Sequence, residues 1–171
     1  MRAIVGARRR SPDPPIRDLT AMAVLEIARM GQPVLRRPAA EVPFPLSAEM
    51  RQLLDDMAET MVAAHGTGLA APQVFQPVRA IVFKVDGARQ QRSVAQLPDL
   101  PEPETAGAGV ALTYLLNPEI TPLDASVDEG YEACLSIPGL TGRVPRARHI
   151  RYRGLDAHGR PVERIASGFH A

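Results

Sequence analysis

An α+β fold with antiparallel sheets is the class this sequence predicts, and three observations carry that reading. One stretch in the N-terminal half, residues 50–64, has apolar residues at helical spacing. Four others, 78–85, 112–116, 149–155 and 162–165, have the composition or the alternation of strands. Nothing repeats, and no linker splits the chain after residue 22, so one helix and several antiparallel strands share one domain, residues 22–171.

Residues 1–21 stand apart. Arg2, Arg8, Arg9, Arg10 and Arg17 lie among Pro12, Pro14 and Pro15 with no apolar run behind them, which argues against a secretory signal. Asp13, Asp18 and the prolines spoil the amphipathic helix of an organellar presequence. The expectation is a disordered tail or an upstream start, with Met22 a natural first residue; an organellar transit peptide and a basic arm touching RNA or the ribosome are weaker alternatives.

Val24–Met30 leads to Gly31-Gln32-Pro33 and a stretch that Pro38, Pro43 and Pro45 keep out of helix. Ser47 then reads as an N-cap with Glu49 in the first turn. Met50, Leu53, Leu54, Met57, Met61 and Val62 form a one-sided apolar stripe, and Gly66 is the expected stop. Val78–Val85 is β-branched and strand-like. Residues 87–109, with Pro98, Pro101 and Pro103, read as a surface loop or hairpin insertion. Leu112–Leu116 is a strand closed by Asn117-Pro118. His149–Leu155 alternates, turns through Ala157-His158-Gly159-Arg160 and returns along Val162–Ile165 as a hairpin.

Composition narrows the function classes. Of 171 residues 45% are hydrophobic and 23% charged, ordinary for a globular protein, and the net charge of +1 gives no field favouring DNA or an acidic membrane. No apolar run approaches the ~20 residues a membrane span needs. A single cysteine forms no internal disulfide and fits a reducing compartment, here the cytoplasm.

Two segments carry chemistry. In Gly66-Thr67-Gly68-Leu69-Ala70-Ala71-Pro72-Gln73 the glycines let backbone approach a ligand, and the Gln73 amide can stabilise an oxyanion; a tight helix-to-strand turn with a solvated Gln uses the same residues. In Tyr131-Glu132-Ala133-Cys134-Leu135-Ser136-Ile137-Pro138-Gly139 the thiol has polar neighbours where a core strand would be apolar. Cys134 can be an inert buried hydrophobe, a metal ligand, or a nucleophile if a histidine lies within reach.

Together, Gly66–Gln73 and Glu132–Gly139 resemble the first two signature motifs of the peptide deformylases, and the resemblance extends from about Val24 to Ala171, including Leu116-Asn117-Pro118 and the Arg153–Glu163 hairpin. Ala133 stands where many members have Gly. The resemblance implies metal-dependent hydrolytic removal of the formyl group from the N-terminal formylmethionine of nascent proteins. It implies Cys134 as thiolate ligand of a divalent ion, Fe²⁺ or in its place Zn²⁺ or Ni²⁺. Gln73 and the Leu135 N–H would form the oxyanion hole, while Thr67 and Gly68, with Glu132 nearby, would meet the substrate.

The third motif of that family, an H-E-x-x-H helix with two metal histidines and the general base, is not among these residues, which stop at Ala171. His65, His149, His158 and His170 include no pair spaced i, i+4. The expectation is a chain truncated before its metal helix, impaired or inactive as a catalyst, and short of the apolar cover that helix supplies. The rival readings are a non-enzymatic binder of nascent N-termini, and a cysteine-dependent amidase with His65 or His149 as base.

Overall fold

The computed structural model describes residues 23–94 and 109–171; the expected tail and the proline-rich part of the 87–109 segment lie outside them. The elements are α1 (Ala48–Ala63), β1 (Gly68–Ala70), β2 (Ala80–Val85), α2 (Gly87–Val94), β3 (Val110–Pro122), β4 (Val127–Cys134), β5 (Ile137–Ala147), β6 (His149–Leu155) and β7 (Pro161–Ser167). Short 3₁₀ turns cover Pro33–Arg36, Ala71–Val74 and Gly168–His170. One sheet has the order β1-β2-β3-β6-β7, and β4 pairs with β5 in a separate hairpin. Every strand pair is antiparallel, as expected.

Helix α1 starts where its cap predicts. Ser47 Oγ accepts the Met50 N–H at 3.2 Å, and Glu49 sits in the first turn. The end differs from expectation. His65, not Gly66, takes the left-handed position (φ +54°), and Gly66 N donates back to Met61 O at 2.8 Å. Gly66 has a different duty, described below.

The main sheet separates its two faces by alternation. Val82 and Leu116 face α1, packing with Leu54, Met57, Met61 and Leu69. Leu115 points the other way and joins Ile150, Tyr152 and Ala166, with Ile81 and Phe83 against them. In that second cluster His170 is buried, its Nε2 3.1 Å from the Tyr152 hydroxyl.

Two elements depart from the expectation. Residues 87–94 are helical rather than looped. Asp86 Oδ1 accepts the Arg89 N–H at 3.1 Å as an N-cap, and the fully buried Gln90 donates to Ser167 O (3.1 Å) and accepts from His170 N (3.0 Å). The loop reading of 87–94 is therefore corrected to a short helix α2 just past the middle of the chain, while α1 stands as the helix of the N-terminal half. Strand β3 also runs past Asn117-Pro118 to Pro122, because the chain absorbs the proline in a bulge between Leu116 and Glu119. Asn117, at φ +50°, clasps Val42 through both backbone groups, at 2.8 and 3.0 Å.

Candidate functional site

The glycine-rich segment leaves α1 and becomes an edge strand. Thr67 O accepts the Lys84 N–H at 2.9 Å, and Gly68, Leu69 and Ala70 pair with Phe83, Val82 and Ile81. Leu69 is buried beneath while Gly68 is exposed. Ala71–Val74 then closes into a 3₁₀ turn, with Pro72 in its first positions. Gln73 Oε1 accepts the Ala70 N–H at 2.9 Å. That bond consumes the amide's acceptor and turns its NH₂ group the other way.

The cysteine segment is the tip of the β4–β5 hairpin. Cys134 pairs with Ile137 around the two-residue turn Leu135-Ser136, after a bulge between Ala133 and Cys134. The thiol is exposed, Ser136 is buried, and Leu135 packs half-buried on the α1 core. A bulge at such a point re-aims a side chain out of the pleat.

The structure brings the two segments together. Gln73 Nε2 donates to Ser136 Oγ at 3.2 Å and stands 3.7 Å from Cys134 Sγ, a weak N–H···S contact. Gln73 is half-buried, with its carbonyl and one N–H bonded and the other N–H in only weak contact with the sulfur, so it is not the solvated side chain of a simple turn. Gly66 allows the approach: a Cβ there would stand 2.8 Å from Leu135 Cδ1.

A third strand of chain locks the arrangement. Ala28 N donates to Gln73 O and Met30 N to Ser136 O, each at 2.8 Å. This stitch is absent from the sequence reading. Its signal was the alternation of half-buried Leu25 and Ile27 with exposed Val24 and Glu26.

Glu132 lies two residues before the thiol. Arg146 grips it with Nε at 2.7 Å and Nη2 at 2.8 Å, and this hydrogen-bonded pair holds the carboxyl below its usual range. Thr67 is half-buried beside Gly68.

The histidines are elsewhere. His149 Nδ1 lies 2.5 Å from Asp124 Oδ2, His158 is exposed in the β6–β7 turn, and His65 is exposed at the end of α1. Cys134 has an amide for its neighbour, a group that cannot take its proton, so the cysteine–histidine pairing an amidase needs is not formed among the described residues. No three His, Cys, Asp or Glu side chains among the described residues gather closely enough to share a metal ion.

An exposed thiol and an amide donor are thus joined across two segments, and comparison with known proteins gives the family. The sequence model of the polypeptide deformylase family matches residues 24–171. Peptide deformylase 2 of Bordetella bronchiseptica is 46% identical over 145 residues, 85% of this chain and 75% of that protein. Peptide deformylase 2 of Pseudomonas putida is 42% identical over 150 residues, 86% and 77% of the two chains. Among solved structures, a class I type b peptide deformylase from Acinetobacter baumannii bound to Met-Ala-Ser superimposes with a TM-score of 0.72 at 32% identity, covering 88% of each chain. The Thermotoga maritima enzyme gives 0.67 at 27%, over 85% of this chain and 82% of that one. With a match across nearly all described residues, in sequence and in fold alike, this chain belongs to the peptide deformylase family.

Proposed function

We propose that residues 66–73 and 131–137 form the substrate-facing part of a deformylase centre that acts, in the cytoplasm, on formylated N-termini of nascent polypeptides, at or near the ribosome. The observation that carries this reading is the Gln73 amide poised between Cys134 Sγ and Ser136 Oγ. Its NH₂ group and the Leu135 N–H are donors for an oxygen that gains negative charge as a formyl carbon becomes tetrahedral. Exposed Gly68, on the outer edge of the sheet, offers backbone to an extended peptide with half-buried Thr67 beside it, and the Arg146-held Glu132 offers a fixed carboxylate.

Cys134 is the residue here that would ligate the family's divalent ion, Fe²⁺ or Zn²⁺ or Ni²⁺. The described residues alone do not fit such an ion. A catalytic site ordinarily takes three protein ligands, and no group of three candidate ligands forms around the thiol among them. The polypeptide of these 171 residues by itself therefore binds formylmethionyl peptides and hydrolyses them poorly or not at all.

The test uses N-formyl-Met-Ala-Ser with Fe²⁺-loaded protein under anaerobic conditions, following binding by ligand-observed NMR and turnover by formate. Saturable binding weakened by Gln73→Ala, with formate release at background, is the expected result. Formate release at the rate of full deformylases, lost in Cys134→Ala, overturns the impairment. No binding of any formyl peptide overturns the site itself.

A further inference from the structure

Gln73 carries its amide on a torsion that is soft by nature. The last χ angle of glutamine is broad, so the direction of the NH₂ group is set by its partners. Two partners set it here. The Ala70 N–H, 2.9 Å from Oε1, can only donate, so it fixes which end of the amide is oxygen. One bond at that end still leaves the amide plane free to swing about it. The bond from Nε2 to Ser136 Oγ, at 3.2 Å, removes the swing.

Ser136 is itself firmly held. It is 4% exposed in the turn between β4 and β5, although serine is mostly a surface residue. Met30 N donates to its carbonyl at 2.8 Å, and Leu135 before it packs on Gly66. The hydroxyl is therefore anchored from the N-terminal segment and from the end of α1, both outside its own hairpin. With the amide oxygen on Ala70 and one N–H on Ser136, the direction of the second N–H is committed. Its described partner is Cys134 Sγ at 3.7 Å, a contact too weak to keep the donor from an incoming oxygen.

We propose that Ser136 is a positioning residue, whose hydroxyl aims the second N–H of Gln73 at the space beside Cys134 Sγ, where a formyl oxygen arrives. The inference rests on the formyl-peptide reading above and adds to it a residue that acts only through Gln73. Removing the hydroxyl strands one N–H and frees the amide to turn. The donor is then lost to the formyl group, while the rest of the peptide is held as before.

Two measurements on the full chain test it, and they fail separately. The first is the NMR order and solvent exchange of the Gln73 side-chain NH₂ group, assigned by its disappearance in Gln73→Ala. In wild type the group should be as ordered as the backbone around it. Ser136→Ala should make it mobile, and Ser136→Thr, which keeps the hydroxyl, should leave it ordered. A wild-type amide as mobile as that of exposed Gln76, or an unaltered amide in Ser136→Ala, overturns the proposal. Where Ser136→Ala does not fold, the wild-type comparison with Gln76 decides.

The second is the affinity for N-formyl-Met-Ala-Ser relative to Met-Ala-Ser. Ser136→Ala should cut that ratio about threefold to tenfold, the worth of one hydrogen bond, with Met-Ala-Ser itself shifted less than about twofold. Ser136→Thr should restore the ratio. An unchanged ratio, or an equal loss for both peptides, overturns the proposal, the latter because it marks a merely structural defect. Wild type that binds no formyl peptide overturns the site reading, and the amide measurement still decides whether Ser136 orients Gln73.

Discussion

Leu135, in the turn of the second hairpin, lies directly on the Cα of Gly66, at the end of α1: an added methyl at 66 would meet Leu135 Cδ1 at 2.8 Å and Met61 O at 3.4 Å. The two motifs are thus packed face to face, and their spacing is set by the absence of a side chain. Gly66 has an ordinary φ, so the requirement is space and not backbone freedom.

Gly66→Ala should therefore destabilise the protein by about 1–3 kcal/mol through overpacking. Leu135→Ala in the same chain should recover part of that cost, because the clashing atom is gone. Urea unfolding of the two single variants and the double variant measures the coupling; additive effects would mean that Leu135 is not what Gly66 avoids.

This relationship shows where the sequence was legible. The α1 stripe, the Ser47 cap and the β6–β7 hairpin follow from local periodicity and turn chemistry, and they stand where expected. Gln73, Leu135 and Cys134 were recognisable as motif residues, and the fold joins two of them through one amide. What local signals do not carry is long-range. The stitch from Ala28 and Met30 to Gln73 and Ser136 uses backbone groups that every residue possesses. Helix α2 was obscured by the prolines that follow it, although Asp86 was a readable cap. The β4–β5 hairpin hid because both its faces are largely exposed, so its strands do not alternate apolar with polar.

Gln73 should show a double role. Gln73→Ala removes the bonds to Ala70 N and Ser136 Oγ and should cost about 1–2 kcal/mol in stability. Gln73→Glu instead puts an anion where a donor faced the sulfur, which disfavours the thiolate. Alkylation of Cys134 at neutral pH should then slow by about threefold to tenfold relative to wild type. An unchanged rate would place the Gln73 side chain away from the thiol in solution.

His170 predicts a slope in stability with pH. Burial among Phe83 and Tyr152, with the Arg164 charge adding to it, lowers its pKa from 6.5 to about 4. The folded ring stays neutral while the unfolded ring protonates near 6.5, so the unfolded state binds the extra proton. Stability should fall as pH drops from about 6.5 to about 4, and be unaffected by this group above that window. Thermal melts of wild type and His170→Phe across pH 4–8, an order-of-magnitude design window, check this; the difference between the two curves should grow toward acid, and parallel curves would rule out a buried neutral imidazole.

The Glu132–Arg146 pair separates stability from geometry. Both side chains are partly exposed, at 40% and 60%, so removing the pair should cost less than about 1 kcal/mol. The fork of two bonds nonetheless fixes a carboxylate two residues from the thiol. Arg146→Lys keeps the charge and loses the fork. It should leave the melting temperature nearly unchanged while weakening formyl-peptide binding by about threefold to tenfold, an effect of 0.6–1.4 kcal/mol at roughly 1.4 per decade. The pair also has a pH signature. Arg146 depresses the Glu132 carboxyl, so its contribution is complete above the usual glutamate range and is lost as pH falls through the lowered value. Peptide binding to wild type should therefore persist at acidities where Arg146→Met, with a carboxyl of ordinary pKa, has already let go. Identical acid profiles for the two would remove Glu132 from the peptide-binding surface.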